Sequence, residues 1–177
     1  DPAMIAAAPM VVLPGVGAFG HAMERLSEDG LVQPLRDRIA QGSPLLAICL
    51  GLQLLCDGSD ESPGVPGLGV ISGRVKRFAP ASSESLRVPQ MGWNRIEPDA
   101  DARLLRGAHM YFANSYRLDE APEGWSTATS EYAGRFVAAF ERGGVLACQF
   151  HPELSGRAGA ELLARWVARS RREVVRC

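Results

Sequence analysis

Three short stretches hold the groups that could react. LLAICLGLQLL (45–55) is almost wholly apolar, yet it contains Cys49, with Gly51 two residues on and Gln53 four residues on. QFHPE (149–153) ends an apolar run with His151 and Glu153, and PGVG (14–17) places two glycines after another such run. A thiol, an imidazole, a carboxylate and free backbone N–H groups are the parts of a nucleophilic site. Cys49 would be the nucleophile. His151 would accept its proton, and Glu153 would orient the ring and balance the imidazolium charge. Gly15, Val16 and Gly17 would turn backbone N–H groups toward a developing oxyanion, joined by the N–H of Leu50.

Each stretch alone has a plainer reading. A buried cysteine is usually a small hydrophobe, HPE is a surface pair at a strand end, and PGVG is a strand-to-helix turn. Together they need three strand ends at one edge of an open α/β sheet, where ligand sites form. The sequence supplies these. MVVL (10–13) and PLLAI (44–48) read as short buried strands, and VLACQF reads as a third, leading into HPE. Small Ala47 and Gly51 flank Cys49 and permit a sharp strand-to-helix turn. The helix that follows, LGLQLLCDG, would point its N-terminus at the sulfur and lower the thiol pKa. Cys56, two turns along that helix, would be core. Pro152 would keep His151 extended, so that His151 and Glu153 project to one side of the strand.

Elsewhere, Asp1-Pro2 reads as a helix start. HAMERLSEDG and LVQPLRDRIAQG read as amphipathic helices ending at Gly30 and Gly42. The second half reads as six strand-like runs from GLGVISGRVKRF to GVLACQF. A final helix, GRAGAELLARWVARSRR, follows with a basic end. FAPASSES (78–85) is the expected exposed loop. Strand–helix alternation predicts an α/β fold with a mostly parallel central sheet and helices on both faces.

With 177 residues, 46% hydrophobic and a formal net charge of -1, a single ordinary soluble domain is expected. No basic excess points to nucleic acid, and no polybasic segment points to a membrane surface. Cys49, Cys56, Cys148 and Cys177 form no CxxC pair and do not cluster with the histidines. Reduced thiols in a cytoplasmic protein are therefore expected, with no metal site.

PGVGAF, ICLGLQLL, VPQMGWN, YFANSYR and QFHPELSG resemble, in order, the motifs of the triad (class I) glutamine amidotransferases. They resemble most specifically the family of glutaminase subunits of imidazole glycerol phosphate synthase. The likeness runs from about Asp1 to Val167, and MGWN is its most discriminating part. It implies hydrolysis of L-glutamine to glutamate and ammonia through a thioester on Cys49, with no metal or organic cofactor. The ammonia would pass to a cyclase subunit, a β/α barrel, which makes imidazole glycerol phosphate and AICAR in histidine biosynthesis. Gln53 and Glu61 would hold the amino-acid end of the substrate, and the backbone of Ser115, Tyr116 and Arg117 would meet its carboxylate. Met91 and Trp93 would lie at the contact with the cyclase. Asn114 and Gln90 stand where the family often has His, and Leu154 where it often has Lys.

The family pattern also implies a strand–loop–helix–strand of about 35–40 residues ahead of Asp1, so a domain truncated at that end is expected. Two other readings stay open: a paralogue feeding a sugar-modifying synthase, and a truncated domain that binds without turnover.

Overall fold

Asp1 caps the first helix as its sequence predicts. Its carboxylate accepts from the Ala3 N–H at 2.9 Å, at the start of α1 (Pro2–Ala7). The computed structural model describes residues 1–80 and 85–174. In chain order α1 is followed by β1 (Val11–Leu13), α2 (Phe19–Glu28), α3 (Val32–Ala40), β2 (Leu45–Ile48), α4 (Leu50–Leu54) and β3 (Cys56–Ser59). Then come β4 (Ile71–Arg77), β5 (Gln90–Pro98), β6 (Ala108–Asn114), β7 (Tyr116–Arg117), β8 (Ser126–Glu131), β9 (Arg135–Arg142) and β10 (Val145–Cys148). A single 3-10 turn (Pro152–Leu154) leads into α5 (Gly156–Val174).

Among the described residues the main sheet has seven strands in the order β1-β2-β10-β9-β8-β5-β6. β2 and β10 sit inside it and are apolar on both faces. Leu45 and Ala47 of β2, with Val145 and Ala147 of β10, pack against α2 and α3 through Phe19, Met23, Leu35 and Ile39. Leu46, Leu146 and Cys148 point the other way, onto Leu162 and Trp166 of α5. Helices therefore cover both faces, as expected. Arg38 is buried and ties this layer together. Its guanidinium donates to the carbonyls of Pro44 (2.9 and 3.1 Å) and Ile5 (2.8 Å), joining α3 to α1 and to the entry of β2.

The sheet is mixed rather than mostly parallel. β1–β2 and β2–β10 run parallel, while β10–β9, β9–β8, β8–β5 and β5–β6 run antiparallel. Parallel neighbours need a long crossover, and α2 with α3 supplies one between β1 and β2. Gly143-Gly144, between β9 and β10, leaves room only for a hairpin.

The helix after Cys49 also stops earlier than its apolar run predicts. The carbonyls of Leu54, Leu55 and Cys56 accept from the N–H groups of Leu68, Val70 and Gly69. The chain is thereby drawn into a second sheet, β3-β4-β7. Cys56 begins β3 and is fully buried, so it is core, but not on a helix.

The expected loop at 78–85 is also revised at its start. Phe78 is buried, with edge-to-face contacts to Tyr132 and Phe136. Positions 81–84 of that loop and Cys177 lie outside the described residues. Among the described residues, no helix is long and apolar enough to cross a membrane.

Candidate active site

The carboxyl ends of β1, β2 and β10 lie side by side, and each delivers one of the three stretches. Cys49 follows β2 with φ 52° and ψ -109°, a backbone conformation that non-glycine residues rarely adopt and that stores strain. Its N–H donates to the Cys148 carbonyl at 2.7 Å, so the turn stays tied to β10 as the chain leaves the sheet.

The turn packs closely because two glycines let backbones touch. A Cβ on Gly15 would lie 2.3 Å from the Gly51 nitrogen and 2.4 Å from the Leu50 Cβ. A Cβ on Gly51 would lie 2.2 Å from the Leu13 carbonyl oxygen. The PGVG loop therefore rests directly on the first turn of α4, and the loop and Cys49 line one cleft.

His151 is extended, with φ -99° and ψ 96°. Its backbone is clamped from β6. The His151 N–H donates to the Tyr111 carbonyl (2.9 Å), the Tyr111 N–H donates to Ser155 Oγ (2.9 Å), and that hydroxyl donates to the His151 carbonyl (2.6 Å). His151 Nδ1 lies 2.8 Å from Glu153 Oε1. A carboxylate only accepts, so Nδ1 carries the hydrogen and Nε2 is left as a base. The pairing arises differently from the strand alternation expected. Glu153 belongs to the 3-10 turn after His151, and that turn swings its carboxylate back to the ring.

One cleft of ≈ 480 Å³ is lined by Gly15, Val16, Gly17, Cys49, Leu50, Gln53, Glu61, Ser115, Tyr116 and His151, with Tyr111, Ala113, Asn114 and Leu154. That volume suits a small polar ligand. Glu61 Oε2 accepts from the Phe19 N–H at 2.7 Å, so the carboxylate caps α2 while it faces the cleft. Gln53 is buried rather than on a helix surface, and its Nε2 reaches the Tyr116 carbonyl (3.1 Å) and Gln149 Oε1 (2.9 Å).

Arg117 does not line the cleft. Its guanidinium donates to the carbonyls of Tyr132 and Ala133, pairs with Asp119 and lies 5.0 Å over the Phe78 ring. It braces β7 against the β8–β9 turn. Met91 and Trp93 stand outside the cleft, 69% and 52% exposed, with Trp93 edge-on to Tyr111.

The thiol is shifted the opposite way from expectation. Burial pushes Cys49 up to about 11, against a smaller lowering by the Leu50 N–H. Glu153 and Glu61 push it further up, while Gln149 lowers it. α4 has only five residues, so its dipole is weak, and Cys49 is only 9% exposed. The resting group is a thiol, and any reaction at the sulfur would need a base to take its proton. Among the described residues no hydrogen bond joins the sulfur to His151. The sequence leaves Ser155 and Gln149 unassigned. Nothing in their local pattern distinguishes a clamp from a buried polar residue, and only the three-dimensional partners do.

A family model described as glutamine amidotransferase class-I matches residues 3–169. The imidazole glycerol phosphate synthase subunit HisH of Deinococcus radiodurans is 47% identical over 163 residues, covering 90% of this chain and 75% of that protein. A subunit of the same name from Thermus thermophilus is 45% identical over 165 residues, covering 93% and 80%. The chloroplastic imidazole glycerol phosphate synthase hisHF of Arabidopsis thaliana is 42% identical over 94% of this chain and 28% of its own length. Among solved structures, one described as a glutamine amidotransferase superposes with a TM-score of 0.71 at 23% identity, covering 96% of this chain and 83% of that one. The fold is thus that of the glutamine amidotransferases. The chain belongs to the class-I glutamine amidotransferase family, among the HisH subunits of imidazole glycerol phosphate synthase.

Proposed function

We propose that this HisH-type chain hydrolyses L-glutamine at Cys49 and passes the ammonia to a cyclase subunit docked over the cleft. The observation that carries the reading is the convergence of Cys49, the Gly15–Gly17 loop and His151 on one cleft, with Glu153 2.8 Å from the imidazole.

His151 takes the thiol proton as Sγ attacks the side-chain carbonyl carbon of glutamine. The new C–S bond pushes charge onto oxygen, which the N–H groups of Leu50 and the Gly15–Val16–Gly17 loop receive. The tetrahedral centre collapses, the C–N bond breaks, and His151 returns the proton to the leaving ammonia. Water then gives a proton to His151 and attacks the thioester. Glutamate leaves, and the proton returns to sulfur. Glu61 suits the substrate's ammonium group. With both Gln53 amide hydrogens engaged, only its Oε1 is left to meet the substrate. Ser115 and Tyr116 offer backbone to the α-carboxylate, whereas Arg117, outside the cleft, offers no contact.

The partner reading rests on the rim. Val16, Met91, Trp93 and Leu154 are all large, apolar and exposed, and such a patch marks a protein contact. Ammonia released there would reach a partner before it met bulk water and became ammonium. Leu154 makes that rim more apolar than the lysine common in the family.

The test is glutamate release by the chain alone, and with a cyclase subunit plus its nucleotide ligand, with Cys49→Ala as control. Activity that depends on the partner and vanishes in the variant is the expected result. Release retained by Cys49→Ala would sink the assignment. Trp93→Ala should weaken the partner's effect by about tenfold or more while leaving unstimulated activity unchanged. An unaltered response would remove Trp93 from the contact.

A further inference from the structure

Gln149 is fully buried behind the sulfur, at the exit of β10, and it does not line the cleft. Its backbone N–H donates to the Ala138 carbonyl at 2.8 Å, which fixes it in the sheet. Its side-chain Nε2 lies 3.6 Å from Cys49 Sγ.

Which end of the amide meets the sulfur is decided by chemistry two residues away. The Tyr116 carbonyl can only accept, and it receives Gln53 Nε2 at 3.1 Å and Asn114 Nδ2 at 2.9 Å. The group Gln53 presents there must be its NH2. The same nitrogen reaches Gln149 Oε1 at 2.9 Å, so that atom is the acceptor, and the NH2 of Gln149 is turned to the sulfur. An amide N–H bonds a thiolate far better than a thiol.

We infer that Gln149 is a further catalytic residue of this site: its side-chain amide, held donor-first by Gln53, stabilises the Cys49 sulfur in the charged form that attacks the substrate. The inference rests on Cys49 being the nucleophile. The other groups facing the sulfur make the need plain. Glu153 and Glu61 bring negative charge and oppose a thiolate, burial opposes it further, and the Leu50 N–H and Gln149 favour it. His151, in the same cleft, takes the proton. Once glutamine is bound, the Leu50 N–H is required for the oxyanion, and Gln149 is the donor that stays with the sulfur. It also favours the thiolate as leaving group when water opens the thioester.

The test reads the sulfur directly. The rate of Cys49 carbamidomethylation by iodoacetamide is followed against pH, with the modified peptide identified by mass spectrometry, in the natural chain, Gln149→Leu and Gln149→Glu. Gln149→Leu should slow the reaction at pH 8 by about tenfold or more, the worth of one hydrogen bond to a charged group. Its whole rate curve should move to higher pH. Gln149→Glu, which replaces the donor by a carboxylate, should move it further.

Superimposable curves from folded variants would overturn the inference. If neither variant folds, the decision falls to the Gln149 side-chain NH2 resonances in the natural chain. They should titrate together with the alkylation rate, and resonances that stay still would overturn it. Iodoacetamide needs no glutamine turnover. Lost glutamate release with an unmoved alkylation curve would therefore defeat this inference while leaving the function intact. The Cys49→Ala assay tests that function separately.

Discussion

The seven-stranded sheet changes character between β10 and β9. On one side β1, β2 and β10 are three or four residues long and run parallel, with β2 and β10 packed between helices and β1 at the edge with Val12 exposed. On the other side β9, β8, β5 and β6 are six to nine residues long and run antiparallel. β5 leaves Met91 and Trp93 in the open. The parallel part aligns three carboxyl ends and so concentrates the reacting groups. The antiparallel part supplies a wall, Tyr111 to Asn114, and an outward face. The proposed reacting groups gather where parallel strands end together, and contact surface is offered by β5, which is exposed on one face.

The sharpest way to break this division is at its reacting centre. Cys49→Ala should reduce glutamate release on the order of 10⁶-fold, as loss of a nucleophile does, with the fold unchanged by circular dichroism. Residual activity within about tenfold of the natural chain would move the nucleophile elsewhere. Cys49→Gly should be equally inactive but more stable than Cys49→Ala by about 1 kcal/mol, because glycine relieves the positive-φ turn. Equal denaturation midpoints would mean that the turn stores no such strain.

Gly15→Ala comes next. Its added methyl would sit 2.3–2.7 Å from backbone and Cβ atoms of Leu50 and Gly51, which cannot retreat as a flexible side chain could. The PGVG loop must lift off the turn. Activity should fall about a hundredfold, the usual loss when an oxyanion donor is misplaced, with destabilisation of about 1–3 kcal/mol from overpacking. Near-normal activity would show that the loop does not serve the oxyanion.

The same division explains what the sequence discloses. The proposed catalytic groups are legible because each follows a short apolar strand, and a strand end with glycines or a cysteine is an unusual local pattern. The element order is legible too, since periodicity marks strands and helices. The pairing direction is not. That β10 pairs with β2 depends on long-range packing, and four of the six neighbouring pairs are antiparallel. The end of α4 is hidden because LGLQLLC is equally apolar as helix or strand. Only the N–H groups of Leu68, Gly69 and Val70 decide it. The thiol shift runs against the sequence reading because helix propensity says nothing of burial, and burial outweighs a five-residue helix. Gln149 and Ser155 are invisible because their partners lie far away in sequence or in backbone groups.

On the antiparallel side, Glu141 offers a counter-test. Its buried carboxylate accepts from the N–H groups of Arg103 and Leu104, pinning the segment before β6. Glu141→Ala strands those buried donors and should cost about 1–3 kcal/mol, or several degrees in thermal midpoint. Glutamate release at 25 °C should stay within about twofold of the natural chain, a change well under 1 kcal/mol in the barrier. A large loss of activity from a chain still folded would show that the two sides are coupled more tightly than their separate roles require.

The smallest effect is a slope. Burial raises Cys49 from 9.0 to about 11 in the folded chain, while the unfolded thiol keeps its ordinary value. Between these values the unfolded chain has lost the proton and the folded chain has kept it, so stability falls as pH rises. The contribution is fully present below about pH 8.5 and is lost as pH climbs toward 11. Cys56 and Cys148 are raised too, also by burial, so a bare pH profile mixes three thiols. Comparing the natural chain with Cys49→Ala isolates one, because the other two are common to both. Above pH 9 the variant should gain on the natural chain by up to about 1.4 kcal/mol per pH unit, read from urea midpoints at pH 7.5, 9 and 10. A gap that stays constant across that range would mean that the sulfur is no drier in the fold than in the unfolded chain. The parallel side would then not exclude water from its proposed nucleophile.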